Sequence, residues 1–344
     1  MYRCLIIFIL FFCYCNWLSA QDVFNPADTI VNYDSTAAPG TPRHPKEPAW
    51  NTMAKWVRTP RETWNTSNFK CYIWNGMQFR LRFPNNYKAS DSTKYPVIIF
   101  YHGGGDTGRV YENDNQLVWG AQPFEQRINN GEWNGFLIFP QVPAIGWNDY
   151  QFSRINSILD TLQKYNHADP DRVISMGLSA GGYGALSYTS LYPQRVAATI
   201  AASPIQATSL INSFASWLHI PVWFANGGRD KNPDPANTQI FYNAFHNAGG
   251  NIYQSYFVNN GHDTWTSMWY LRNAAGNLIT DTYWNNAHKA QPLVYFQNQQ
   301  FCGNGSIAAK MGISAGFYAY EWQQNGVPIP GANGNEYTAT QPGQ

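Results

Sequence analysis

Six short runs recur through the middle of the chain: Val97–Tyr101, Gly135–Phe139, Val173–Met176, Val196–Ala201, Pro221–Ala225 and Ile252–Val258. Runs that stay apolar rather than alternating suit parallel strands buried on both faces. Between the second and third, Ile155, Ile158, Leu159 and Leu162 fall at i, i+3, i+4 and i+7, the stripe of an amphipathic crossover helix. Strands alternating with helices predict an α/β fold with a mostly parallel, doubly wound sheet. Upstream, Cys71–Trp74 and Met77–Phe83 flank Asn75-Gly76, the signature of an antiparallel β-hairpin through which the sheet is entered.

Within this frame one turn stands out. Gly177-Leu-Ser-Ala-Gly181 follows the run Val173–Met176 and precedes a helix predicted over Gly182–Leu191. A sharp strand-to-helix turn of this kind lifts a serine hydroxyl above the sheet and tolerates only small neighbours, which makes Ser179 the candidate nucleophile. The strand ending at Tyr101 runs into His102-Gly-Gly-Gly105. Glycines there let backbone N–H groups turn inward, so Gly103 and Gly104, with the amide of Ala180, are the candidate oxyanion hole. No G-K-[ST] follows, so the loop does not read as a phosphate cradle. His102 reads as a residue that shapes this loop rather than as the base.

Acid and base are expected downstream, in the order serine, acid, histidine. Asp230 follows the run Pro221–Ala225 and His262 follows Ile252–Val258, each past the strand end where sites of open α/β sheets form. His262 would accept the serine proton; Asp230 would orient the ring and stabilise its charged form. Asp234 is near enough to compete with Asp230. Asp263 directly follows His262, a spacing that works against mutual facing. The other histidines sit elsewhere: His44 in an N-terminal strap, His167 after the crossover helix, His219 ahead of its strand, His246 within a helix and His288 near the domain exit. Asp230-Lys-Asn-Pro-Asp234 imitates the opening of a calcium loop, but the sixth and twelfth positions are Pro235 and Phe241 instead of Gly and Glu.

The ends differ from the middle. Residues 1–20 carry Arg3, an apolar run from Cys4 to Cys15 and a small-residue exit at Ser19-Ala20, which reads as a secretory signal peptide cut before Gln21. The run is too short to span a bilayer, which takes about 20 apolar residues. The expected location is therefore extracellular, with only Cys71 and Cys302 left in the mature chain. Pairing between these two is open, but they fall in different predicted domains. Neither has metal-ligand spacing to a Cys or His, so no zinc site, metal or organic cofactor is expected. Residues 21–68 are Pro-rich and read as a linker or a strap on the surface. Residues 69–292 form the expected catalytic domain, and 293–344, rich in Gly, Asn and Gln, begin a small β module with strand-like pieces at Phe317–Trp322 and Glu336–Thr340.

A net charge of +1 from 22 basic and 21 acidic residues offers no field for a polyanion, which argues against nucleic acid. Charged residues are only 12% and aromatics 16% of the 344 residues. Such a balance fits an extracellular protein that meets neutral material. Trp147, Tyr150 and Trp265 are the aromatic candidates for holding an acyl group or sugar ring, on loops expected to build the pocket over 140–149, 203–218, 226–235 and 259–266.

Tyr101-His-Gly-Gly-Gly105, Pro140-Gln-Val-Pro143 with Trp147, Asp169-Pro-Asp-Arg-Val173, Gly177 to Gly184, Pro221-Val-Trp223, Asp230 and Gly261-His262 with Trp265 together form a recognisable set. Over about Tyr95–Trp269 the chain resembles secreted α/β-hydrolases of the prolyl-oligopeptidase-like "predicted peptidase" and polysaccharide-esterase group, related to feruloyl and acetyl-xylan esterases and polyhydroxybutyrate depolymerases. The resemblance implies an α/β-hydrolase fold and a serine esterase acting on acylated polysaccharide or a polyester. A peptidase on the same residues, and a polysaccharide-binding or adhesion protein with an incidental hydrolase domain, are the alternatives. The sequence departs from the common pattern in having Asn226-Gly-Gly where a His-Gly pair is usual and Ala180 where Met is frequent. The C-terminal stretch resembles Ig-like modules appended to secreted bacterial hydrolases, a β-sandwich in which a Cys near the first strand, here Cys302, pairs with one near the last. No such second Cys precedes Gln344, which is expected to be a truncation point within the module.

Overall fold

The computed structural model describes residues 23–41, 43–44, 54–55, 57–90, 92–289, 294–296, 308–313 and 320–340. The expected signal peptide, Cys302 and the first half of Phe317–Trp322 lie outside the described residues.

A nine-stranded sheet forms the centre: β1 (Ala54–Lys55), β2 (Phe69–Trp74), β3 (Met77–Arg82), β4 (Tyr95–Tyr101), β5 (Phe136–Gln141), β6 (Ala168–Leu178), β7 (Ala198–Ala202), β8 (Val222–Gly227) and β9 (Ile252–Phe257). Their order is β1-β2-β3-β5-β4-β6-β7-β8-β9. The first three and the β3–β5 pairing are antiparallel; everything from β5 to β9 is parallel. With helices on both faces this is an α/β-hydrolase fold. The β2–β3 hairpin turns at Asn75 and Gly76, both at positive φ, as a two-residue turn matched to strand twist requires.

Among the described residues six α-helices cover the sheet: α1 (Ala121–Asn129), α2 (Asp149–Tyr165), α3 (Ala180–Leu191), α4 (Pro235–Asn247), α5 (Trp265–Met268) and α6 (Ile279–Asn286). Strand β4 shows the division. Val97, Ile99 and Tyr101 join the core containing α2, α3 and α4, while Ile98 and Phe100 join the core of α1, α5 and α6. Ile155, Ile158, Leu159 and Leu162 of α2 are all fully buried, as their spacing predicts. Strand β9 differs from the other parallel strands. It ends the sheet, and Tyr253 and Tyr256 are exposed, because an edge strand has a neighbour on one side only.

The N-terminal segment is more than a surface strap. Phe24 is fully buried against Tyr72, Trp74 and Phe79, and β1 pairs with β2. Residues 57–66 also cover β3, whose alternating arginines would otherwise face water. Arg80 is 0% exposed and pairs with Asp114 at 2.9 Å; Asp114 in turn accepts from the amides of Arg61 and Glu62.

Toward the C-terminus, β10 (Val294–Phe296), β11 (Ala309–Ile313) and β14 (Glu336–Ala339) form a second antiparallel sheet, and β12 (Gln323–Gln324) pairs with β13 (Val327–Pro328). Trp322 stacks on Tyr337 there.

Candidate active site

The sheet order reverses around β4: the chain leaves it toward β5 on one side and later returns through β6 on the other. Such a switch point opens a crevice beyond the carboxyl ends of the strands. Ser179 stands there, between β6 and α3, at φ 56° and ψ −120°. Its amide donates to the Ala202 carbonyl at the end of β7, which pins the strained turn. Small neighbours are obligatory. A Cβ on Gly177 would lie 2.2 Å from the Gly181 carbonyl oxygen, and one on Gly181 would lie 1.9 Å from that of Tyr101.

His262 Nε2 lies 2.7 Å from Ser179 Oγ, and His262 Nδ1 lies 2.8 Å from Asp230 Oδ2. Three residues predicted from separate segments therefore form one hydrogen-bonded relay. Asp230 is buried, and its second oxygen accepts from the Asn232 amide. That leaves His262 Nδ1–H as the donor to Asp230 and Nε2 as the acceptor for the serine proton. Asp234 is elsewhere: its carboxylate caps α4 by accepting from the Ala236 amide at 2.7 Å. Asn226, where the resemblance leads one to expect histidine, is buried and accepts from Gln254 Nε2. The His262 loop is braced by Thr264, whose hydroxyl meets that of Ser203 at 2.7 Å.

The glycine loop faces the serine. A Cβ on Gly103 would be 3.6 Å from Ser179 Cβ, and Gly104 and Ala180 line the crevice. Ala180 begins α3, so its amide has no acceptor one turn earlier in the helix. His102 holds the loop from beneath. Its Nδ1–H donates to the Gly103 carbonyl and its Nε2 accepts from the Val142 amide, an arrangement that needs a neutral ring. Burial lowers its pKa to about 4, consistent with that state. Nearby Asp106 is also buried, which raises its carboxyl to about 6 against the opposing pull of Arg61.

Of the three aromatic candidates, Trp147 is corrected. It is buried, its Nε1–H donates to the His102 carbonyl, and a Cβ on Gly184 would strike its ring at 2.7 Å. It supports the glycine loop and presents no face to a ligand. Trp265 is buried too, edge-on to the His262 ring with centroids 5.4 Å apart. Tyr150 alone is open, at 64% exposure, and it lines a different cavity. The crevice around the relay, about 570 Å³, is walled instead by Ile145, Ile205, Arg229, Lys231 and Asn232. Those residues lie on the expected loops, but nothing in their types marked them individually. Among the described residues no cluster of His, Cys, Asp and Glu could hold a metal ion, and Cys71 is a buried free thiol.

Residues 144–269 match the family model described as the prolyl oligopeptidase family. That segment contains Ser179, Asp230 and His262 and stops short of the glycine loop. No curated protein matches the chain. Among solved structures it is similar to a thermostable esterase (22% identity, 53% of this chain and 50% of that one, TM-score 0.43). It is similar to a ferulic acid esterase (19% identity, 55% and 86%, TM-score 0.46) and to the Pyrococcus horikoshii acylaminoacyl peptidase (15% identity, 56% and 36%, TM-score 0.43). The matched region thus spans half of the first of these chains and about a third of the last. The family match and the relay support a serine hydrolase. No helix among the described residues is long and apolar enough to cross a membrane.

Proposed function

We propose that this chain is a secreted serine esterase that cleaves carboxylic esters, either acyl groups on plant polysaccharide or a related polyester. The observation that carries the reading is the Ser179–His262–Asp230 relay at 2.7 and 2.8 Å, set beside the glycine loop of Gly103 and Gly104. Ser179 Oγ attacks the ester carbonyl while His262 Nε2 takes its proton. The negative oxygen of the tetrahedral intermediate is received by the Ala180 amide together with Gly103 or Gly104. Collapse expels the alcohol, which recovers the proton from His262, and a water then repeats the steps to release the acid. Asp230 holds the ring tautomer and stabilises the imidazolium in both halves. No step calls for a metal or organic cofactor. Secretion is supported by the composition of residues 1–20, and a neutral substrate by the near-zero net charge.

A panel of acetyl, feruloyl, longer-chain and polyester substrates, with Ser179→Ala as control, tests the reading. The wild type should turn over at least one class, and Ser179→Ala, still folded, should lose that activity. Retained turnover by the variant overturns it. The match to the prolyl oligopeptidase family favours one second reading, a peptidase using the same residues. Parallel assays on peptide substrates distinguish the two.

A further inference from the structure

The near-zero net charge of the chain hides an uneven spread at the relay crevice. Arg229 and Lys231 both stand on its wall, and the only carboxylate among the residues lining it is Asp230. That carboxylate is already engaged. Its side chain is 1% exposed, with one oxygen on His262 Nδ1 and the other on the Asn232 amide. Asp234 serves as the cap of α4, and Asp263, exposed beside His262, lies outside the lining. Arg229 and Lys231 are exposed, and among the described residues neither forms an ion pair.

The two cations also occupy a defined end of the crevice. One end is the glycine loop, where a Cβ on Gly104 would lie 2.9 Å from Ile145 Cδ1; the loop after β5 that carries Ile145 also lines the adjoining cavity, through Val142 and Pro143. The other end is the loop after β8. There the Arg229 amide donates to the Asn260 carbonyl, two residues before His262, and Arg229 Nη2 donates to Asn259 Oδ1 at 3.1 Å. One bond to a neutral amide leaves most of the guanidinium fork for a ligand. Lys231 directly follows Asp230. His262 must hand its proton to the leaving oxygen while the oxyanion faces the glycine loop, so the alcohol half of an ester belongs at the end that carries the cations.

Cations without counter-ions beside the departing alcohol are complemented by an anion on that alcohol. We propose that the alcohol half of the substrate carries a carboxylate, held by Arg229 and Lys231, so that cleavage releases a hydroxy acid. The bond broken joins the acyl carbon to the alcohol oxygen; water supplies the hydroxyl of the released acid and the proton of the released alcohol. The inference rests on the esterase reading. Of the polymers in that reading, an acylated uronate unit of a polysaccharide and the free-acid end of a polyester have this chemistry. Away from that unit the polymer is free to be neutral, in keeping with the net charge of +1.

Matched pairs of substrates test it on the full chain. The linear dimer of 3-hydroxybutyrate is compared with its terminal amide, and a 3-O-acetylated methyl galacturonoside with the corresponding galactoside. In at least one pair the charged member should have a kcat/KM roughly 10-fold above its neutral partner, the effect of two exposed charge contacts. The pair that responds tells a polyester end from a uronate. Combining Arg229→Met with Lys231→Met should bring the ratio to about one, Lys231→Arg should keep it, and about 0.5 M salt should shrink it in the wild type. Melting curves check that the variants stay folded. Titration of Ser179→Ala with the same four compounds, followed by NMR, reads the contact without turnover: the acids should bind more tightly, and the double substitution should erase the difference. Equal values within both pairs, no binding by either acid, or a preference that survives the double substitution overturns the proposal. If the wild type turns over no ester in these pairs or in the panel above, the esterase reading fails and the titrations alone decide the charge contact.

Discussion

A Cβ on Gly227 would lie 2.0 Å from the carbonyl oxygen of Gly261, so the loop carrying His262 passes directly over the end of the strand leading to Asp230. Amides tie the two loops together: Gly228 donates to Phe257 and Arg229 to Asn260. This close approach brings Nδ1 to within 2.8 Å of Oδ2. In Gly227→Ala the loops must part. Displacing reacting groups by about 1 Å can cost 10²-fold, so kcat/KM on the best ester should fall by roughly that factor, with a lowered Tm. Unchanged kinetics would mean the loops shift without disturbing the relay.

Asp230 and Asp234 should separate cleanly by mutation. Asp230→Asn should lower kcat by roughly 10³- to 10⁴-fold with little loss of stability, because an amide in its place favours the wrong imidazole tautomer. Asp234→Ala removes the cap of α4 and should cost about 1 kcal/mol in urea unfolding, with kcat nearly unchanged. The opposite pattern would reassign the acid.

His102 and Asp106 should give stability slopes of opposite sign with pH. The pKa of His102 is lowered on folding from 6.5 to about 4, so its contribution is present above pH 6.5 and is lost as pH falls through 4. That of Asp106 is raised from 3.8 to about 6, so its contribution is present below pH 3.8 and is lost as pH rises through 6. Relative to wild type, Asp106→Asn should show a steeper fall of Tm on acidification from pH 6.5 to 4. His102→Gln, which keeps an acceptor for the Val142 amide, should show a shallower one. Parallel slopes in all three proteins would contradict the assignment.

Breaking the Arg80–Asp114 pair should be costly, since both side chains are 0% exposed. Asp114→Ala strands a buried guanidinium and frees the amides of Arg61 and Glu62, with an expected loss of about 3–5 kcal/mol in denaturant unfolding. Replacing both residues with apolar side chains should recover much of that loss.

The sequence made the site legible wherever its chemistry is local. The elbow around Ser179 needs small residues within two positions, the hairpin needs Asn75-Gly76, and the stripe from Ile155 to Leu162 needs one helix period; each is written in neighbouring letters. Trp147 misled because an aromatic in a loop reads alike whether it faces a ligand or buttresses His102 from 45 residues away. Arg80 likewise sits in an alternating strand that looks half-solvated, until residues 57–66 cover it.

The candidate nucleophile, base and acid, strand order along the chain and the glycine loop were determined by the sequence itself, since each depends on short-range periodicity or on a residue type that few backbone conformations accept. The tertiary structure decided which aspartate faces His262, that β9 is an edge, which walls the crevice has and that a second cavity adjoins it. Those outcomes depend on groups far apart in the chain meeting at separations of a few ångströms, and short-range sequence patterns carry no record of such meetings.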